Sequence, residues 1–234
     1  QLIEVVRAQG KLGMVSEAVA VHPYSQKGVI STGAVETGLM LGDLPATLDF
    51  KGIEESLPAR QSCMLCYLRL NPEPQRRVFL PTRHRAILEK VYARTGLNRV
   101  LLEQPRDPEL DEHSLLEVHL DSGWEEAALR VLRFGRDLED LVRAHLQHLL
   151  ANNVPYVYLE LPLGDPALGQ SLEGLEALGF SFAGVVPELA QGDILRLHFL
   201  TDIELDDKIC AVSDWGNEIK DYVLARAKVG SLSR

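Results

Sequence analysis

Two glycines set five residues apart occur twice in this chain, and their surroundings recur with them. Gly33-Ala-Val-Glu-Thr-Gly38 is followed by Leu39-Met-Leu41, and Gly179-Phe-Ser-Phe-Ala-Gly184 by Val185-Val-Pro187. Upstream of each pair lies a strand-like run that ends in X-Pro, Val19-Ala-Val-His22-Pro23 and Tyr158-Leu-Glu-Leu161-Pro162, and then a helix-like stretch. The spacing from Pro to Gly differs by seven residues between the copies, close to two turns at about 3.6 residues per turn, so the same helix face stays on the sheet. This pattern predicts two related α/β units, the first already half over where the chain begins.

The order strand, helix, Leu178-Gly179-Phe180, strand resembles the C-terminal half of the GNAT N-acetyltransferase superfamily. Three stretches narrow the resemblance: Glu17-Ala-Val-Ala-Val-His-Pro-Tyr-Ser-Gln-Lys27, Phe79-Leu-Pro-Thr-Arg-His-Arg85, and Leu178–Gly184 with Gly192–Leu197. They are similar to the C-terminal region of bacterial fusions joining a histidine-kinase-like ATPase of the anti-sigma-factor kinase type to GNAT-like modules. The general likeness covers residues 1–44 and roughly 76–200. It implies a mixed twisted sheet flanked by helices on both faces. It also implies upstream ATPase-like and GNAT-like domains as partners, and acetyl-coenzyme A (acetyl-CoA) as the cofactor of any active member.

A net charge of −10 argues against duplex nucleic acid or an anionic membrane surface as the main partner. The 46% hydrophobic content fits an ordinary globular chain with a real core. No apolar run reaches the ~20 residues that span a bilayer, and Glu4 with Arg7 interrupts any secretory signal. Three cysteines fit a reducing cytoplasm. The opening on Gln1 within a helical pattern (Leu2, Ile3, Val5, Val6), closed by Gly10, predicts a fragment.

The periodicity predicts a helix over 2–9, strand 15–21, helix 24–31 and strand 34–41, then an irregular connection over 42–60. A second unit is expected to begin with strand 62–70 and continue with strand 77–80, helix 82–95 capped by Thr82 and closed by Gly96, and strand 99–103. A polar loop over 104–113 precedes strands 114–121 and 124–134, which flank the turn Asp121-Ser-Gly123. Helix 137–151 presents Leu138, Leu141, Val142, Leu146, Leu149 and Leu150 on one face. Strand 156–161, helix 166–178, strands 180–187 and 193–200, and a tail helix over 214–228 complete the reading. The fold class is α/β (α+β). Residues 1–60 form the half unit and its connection, 61–202 the second unit, and 203–234 the tail. A half unit with an open sheet edge predicts a homodimer.

In GNAT enzymes the coenzyme pyrophosphate sits on a turn of the type Arg/Gln-x-x-Gly-x-Gly/Ala, where backbone amides gather at a helix N-terminus. The resemblance places that turn at Phe134-Gly135-Arg136-Asp137-Leu138-Glu139-Asp140, with Gly135 and Arg136 as the cofactor-binding residues. One glycine stands where the pattern asks for two small residues. Asp137 is read as an N-cap that occupies the amides, and Glu139 and Asp140 add negative charge. Many members also place a general-acid Tyr four residues before the Gly of the leu-gly-phe motif. Here Val29 and Leu175 hold those positions, so no catalytic residue is assigned.

Ligand-binding candidates remain. His22, Tyr24, Ser25 and Gln26, with Lys27, stand at a strand end where they either line a polar pocket or cap the next helix. Arg83-His84-Arg85 places positive charge in the first turn of a helix, against its dipole, and fits either an acidic ligand or a solvated helix start. Cys63 and Cys66 are three apart on a strand and point to opposite faces, which disfavours a metal pair. His145 and His148 share a helix without a further ligand, so no metal is expected. The expectation is a degenerate, ligand-sensing or scaffolding module of a cytoplasmic signalling protein without a bound cofactor. The alternatives are an acetyl-CoA-dependent N-acetyltransferase in the intact parent and a pure dimerisation module.

Overall fold

The computed structural model describes residues 2–46, 59–201 and 208–227. In chain order its elements are α1 (Leu2–Ala8), β1 (Gly13–Val19), α2 (Tyr24–Ser31), β2 (Val35–Leu44), β3 (Gln61–Arg69) and β4 (Arg76–Leu80). A 3-10 turn (Thr82–His84) runs into α3 (Arg85–Thr95), followed by β5 (Arg99–Glu103), β6 (Leu115–Asp121), β7 (Glu126–Arg133) and α4 (Leu138–Ala151). The last elements are β8 (Tyr156–Pro162), α5 (Leu168–Ala177), β9 (Ser181–Val186), β10 (Ile194–Leu200) and α6 (Asp214–Leu224). The described residues form a mixed α/β fold with one eight-stranded mixed sheet, a separate two-stranded sheet and six α-helices.

Apolar spacing fixes which helix faces are buried. α4 hides Leu138, Val142, Leu146 and Leu149, and α3 hides Ile87, Leu88, Val91 and Tyr92. Gly96 ends α3 in the left-handed conformation at φ 62°, its N–H donating to Tyr92 O. α6 starts under a Ser213 cap that accepts from Gly216 N–H at 2.7 Å, and it buries Trp215, Ile219 and Val223. In the β6–β7 turn, Asp121 Oδ1 accepts from Gly123 N–H at 2.9 Å and Trp124 N–H at 3.1 Å. Thr82 does not cap a helix: Pro81 holds the position before the 3-10 turn, and no side chain accepts there.

The main sheet runs β1-β3-β2-β9-β10-β8-β7-β6. Its middle reads the same from both ends, since β3 lies between β1 and β2 as β10 lies between β8 and β9. The registers match as well. One row is Glu17, Leu65 and Gly38, and its counterpart is Glu160, Arg196 and Gly184. Both β2 and β9 carry an extra residue just before that row, at Thr37 and Ala183. Gly33 (φ 91°) and Gly179 (φ 109°) end the two preceding helical turns in the same left-handed conformation. An approximate twofold axis thus passes between Gly38 and Gly184, which are Cα partners where β2 meets β9.

Three strands differ from the sequence reading. β3 was assigned to the second unit, but its ladder with β1 and β2 makes it the third strand of the first. The strands at 77–80 and 99–103 are expected in the sheet of the second unit, but β4 and β5 pair in parallel with each other through the α3 crossover. Buried charges hold this small sheet against the β9–β10 loop. Arg99 reaches Asp193 at 2.7 Å and Glu188 at 2.6 Å, and Arg76 reaches Glu188 at 2.7 Å. Tyr92 donates to Asp193 at 2.8 Å, and Phe79 N–H donates to Leu163 O at 2.8 Å beyond the end of β8.

Candidate functional site

The turn between β7 and α4 is filled by its own chain. Gly135 N–H donates to Ser114 Oγ at 3.0 Å, and Arg136 N–H donates to Asp111 O at 3.0 Å. A Cβ at Gly135 would collide with the backbone of His113 and Ser114, so glycine is required there by a crossing segment. Asp137 occupies the N-cap position of α4 yet makes no cap bond, contrary to the sequence reading. Its carboxylate instead reaches across the loop, accepting from Ser114 N–H at 2.7 Å and meeting His113 Nδ1 at 3.0 Å. The Ser114 amide and then His113 hold the Asp137 carboxyl down at about 2. Glu139 pairs with Arg143 at 2.6 Å on the helix surface.

The strand-end candidates serve the fold. Ser25 Oγ donates to Val19 O at 3.1 Å, and the buried Gln26 donates through Nε2 to Cys210 O at 2.8 Å. Neither Ser25 nor His22 caps α2, whose N-cap position is Pro23. Tyr24 is 76% exposed, its ring 5.3 Å from that of His22. The proton-donor positions implied by the resemblance hold a half-buried Val29 and a fully buried Leu175, neither able to donate.

The basic triplet divides three ways. His84 is fully buried between Tyr222 and Glu176, with Nδ1 2.8 Å from the Tyr222 hydroxyl and Nε2 2.9 Å from Glu176 Oε1. Its ring packs on Phe182 at 4.8 Å. Arg83 forms an ion pair with the other Glu176 oxygen, and Arg85 turns to Glu89 at 2.8 Å. Burial alone would raise the Glu176 carboxyl, but the bonds from His84 and Arg83 outweigh it and hold it low. The Arg83–Glu176 pair stands in the walls of two cavities. One, of about 340 Å³, is lined by Thr82 after β4, Gln104 and Arg106 after β5, and Glu173 on α5. The other, of about 450 Å³, reaches Phe180 and the chain after α6. The first cavity therefore opens at the carboxyl ends of two parallel strands joined by a helical crossover, a common place for ligands in α/β proteins. Arg83 was marked from sequence. Gln104, Arg106, Glu173 and Glu176 were not, because only the β4–β5 pairing brings them to one place.

A second polar centre, also unmarked, lies on the sheet face between the two halves. Arg196 binds Glu17 of the first half at 3.1 Å and Glu160 of the second at 2.7 Å, and it lies over the Tyr158 ring at 4.6 Å. Arg60 donates to Gly42 O at 2.6 Å and Asp43 O at 2.9 Å. Burial, with Glu17 nearby, raises the Asp43 carboxyl well above its usual range and the Glu126 carboxyl to about 7. Burial alone drives His198 down to about 3. Among the described residues, neither ring nitrogen of His198 nor the Tyr156 hydroxyl has a hydrogen-bond partner. Cys63 and Cys66 are buried free thiols, and burial pushes Cys66 up to about 12.

Among the described residues no group of three or more His, Cys, Asp or Glu side chains is arranged to hold a metal ion, and no helix is long and apolar enough to cross a membrane. No family model, curated protein or solved structure matches this chain.

Proposed function

We propose that this chain is a degenerate, non-catalytic GNAT-like module that senses a ligand or scaffolds within a cytoplasmic signalling fusion. The observation that carries the reading is the β7–α4 turn. GNAT enzymes bind the pyrophosphate of acetyl-CoA on free amides there, whereas the Gly135 and Arg136 amides are bonded to Ser114 and Asp111. Supporting it, the proton-donor positions hold Val29 and Leu175. The mirrored order of β1-β3-β2 and β8-β10-β9 supports two related GNAT-like halves.

Losing two charge-assisted hydrogen bonds, each about 1.5–3 kcal/mol, weakens coenzyme binding by roughly a hundred-fold or more. Calorimetric titration with acetyl-CoA is expected to show no micromolar binding. A micromolar dissociation constant together with acetyl transfer would establish the transferase reading in its place.

One observation favours an additional pairing role. β8 is covered on its outer edge by the parallel β7, while its counterpart β1 has no strand on that edge among the described residues. Sedimentation equilibrium on the isolated chain is expected to show a dimer, and a strictly monomeric mass at high concentration would remove this role.

A further inference from the structure

β6 forms one end of the main sheet, and no strand pairs with its outer edge among the described residues. The edge is apolar as well as open. Leu115, Val118 and Leu120 are all exposed, whereas β1, at the other end of the sheet, exposes only Val15 among its large apolar side chains. Leu116, Val118 and Leu120 stand in register with Val131, Leu129 and Ala127 of β7, so they continue outwards a face whose β7 members are fully buried. An apolar edge strand left open in this way is a template for pairing.

The opposite face carries charge in alternation. Register partners run from Arg196 on β10 to Glu160 on β8, Arg130 on β7 and Glu117 on β6. Arg196 and Arg130 hold Glu160 at 2.7 and 2.6 Å. Glu117 ends the row at the open edge, where the next member of the alternation is a cation.

A second copy of β6 supplies that cation. The stretch Leu116-Glu117-Val118-His119-Leu120 is nearly symmetric about Val118. Set antiparallel on its own copy about that residue, β6 puts Val118 opposite Val118, and twice over it puts Leu116 opposite Leu120 and Glu117 opposite His119. A twofold axis perpendicular to the sheet keeps each face on its own side. The apolar stripes then join on one face, and both Glu–His pairs lie on the other. Moving the axis to Glu117 sets two carboxylates against each other, and moving it to His119 sets Glu117 against Asp121, so one register is selected.

We propose that β6 is a self-association edge: two copies of the chain pair antiparallel through residues 116–120, with Val118 at the twofold axis. The inference rests on the pairing role given above and assigns it to β6 rather than to β1.

Sedimentation equilibrium of the 234-residue chain and its variants is the test. The wild type should be a dimer. His119→Glu sets carboxylates opposite each other at two places and should weaken the dimer at least about ten-fold, and adding Glu117→Lys should restore it to within about three-fold. Both positions are exposed, and the melting temperature checks that the fold is kept. Val118→Cys should give a disulfide-linked dimer on mild oxidation, because facing Cα atoms of an antiparallel pair stand about 4.5–5.5 Å apart, within disulfide reach. Leu116→Cys should not, since the two copies of that position lie about 13 Å apart along the strands. A dimer that His119→Glu leaves intact, that the double exchange fails to restore, or that Leu116→Cys cross-links as readily as Val118→Cys overturns this assignment. If such a dimer is lost instead in Val15→Lys, pairing belongs to β1 and the role itself stands, whereas a monomeric wild type removes both.

Discussion

Gly38 and Gly184 face each other as Cα partners where the two halves of the sheet meet, each filling the space that the other's side chain would need. A Cβ on Gly38 would stand 2.6 Å from Gly184 Cα, and one on Gly184 would stand 2.7 Å from Thr37 O. Both obstacles are backbone and cannot rotate away. Gly38→Ala and Gly184→Ala are therefore each expected to cost about 1–3 kcal/mol, by similar amounts. Gly28→Ala, in a helix interior with nothing within 4 Å, should instead gain about 0.5–1 kcal/mol. Urea denaturation of the three variants checks this, and a neutral Gly184→Ala would mean that the halves do not meet as described.

Arg196 links the halves by charge. Its two carboxylate partners are the counterparts Glu17 and Glu160, but only Glu160 is buried, with its side chain 1% exposed against 41% for Glu17. Arg196→Leu leaves the Glu160 carboxylate with only Arg130, at 2.6 Å, among the described residues and should cost about 3–5 kcal/mol. Glu17→Gln removes a solvent-screened partner and should cost about 1 kcal/mol or less. Equal losses in denaturation midpoints would place the energy of the link on the exposed side instead.

The element boundaries were legible in the sequence because their signals are local. Gly96 had to close α3 and Asp121-Ser-Gly123 had to turn, since each needs only its neighbours. The repeat around Gly33 and Gly179 was legible for the same reason. Strand partners were not. The run at 61–69 suits any buried strand, and only its ladders show that it belongs beside β1. Asp137 stands where a cap stands, and its carboxylate is drawn away by Ser114, which lies 23 residues earlier and reaches it only after folding. Site residues follow the same division. Arg83 stood out against its helix dipole, whereas Gln104, Arg106 and Glu173 are unremarkable until β4 and β5 pair.

Glu126 should make the protein less stable at neutral pH than at mildly acidic pH. Its carboxyl is raised from 4.5 to about 7 by burial and by Glu17, so the unfolded chain releases the proton first. The stabilisation is complete below about pH 4.5 and is lost as pH rises towards 7. The group is partly exposed, so the decline is smaller than the shift alone implies. Between pH 5 and 7 the melting temperature of the wild type, relative to that of Glu126→Gln, should fall. Parallel curves would show that Glu126 is ionised in the folded protein.

His198 acts in the opposite direction, and its effect is separable. Its imidazole is fully buried without a partner among the described residues and is pushed from 6.5 down to about 3. Below about pH 6.5 the unfolded chain takes up a proton that the folded chain refuses, so stability falls as pH falls towards 3. At pH 5 that linkage amounts to roughly 2 kcal/mol, from one and a half units of pH below the unfolded value. His198→Leu removes it, and it also removes two unsatisfied nitrogens at every pH. The variant should therefore exceed the wild type by more at pH 5 than at pH 8, by about 2 kcal/mol in urea denaturation. An advantage independent of pH would mean that His198 finds a hydrogen-bonding partner in solution and becomes charged within the fold.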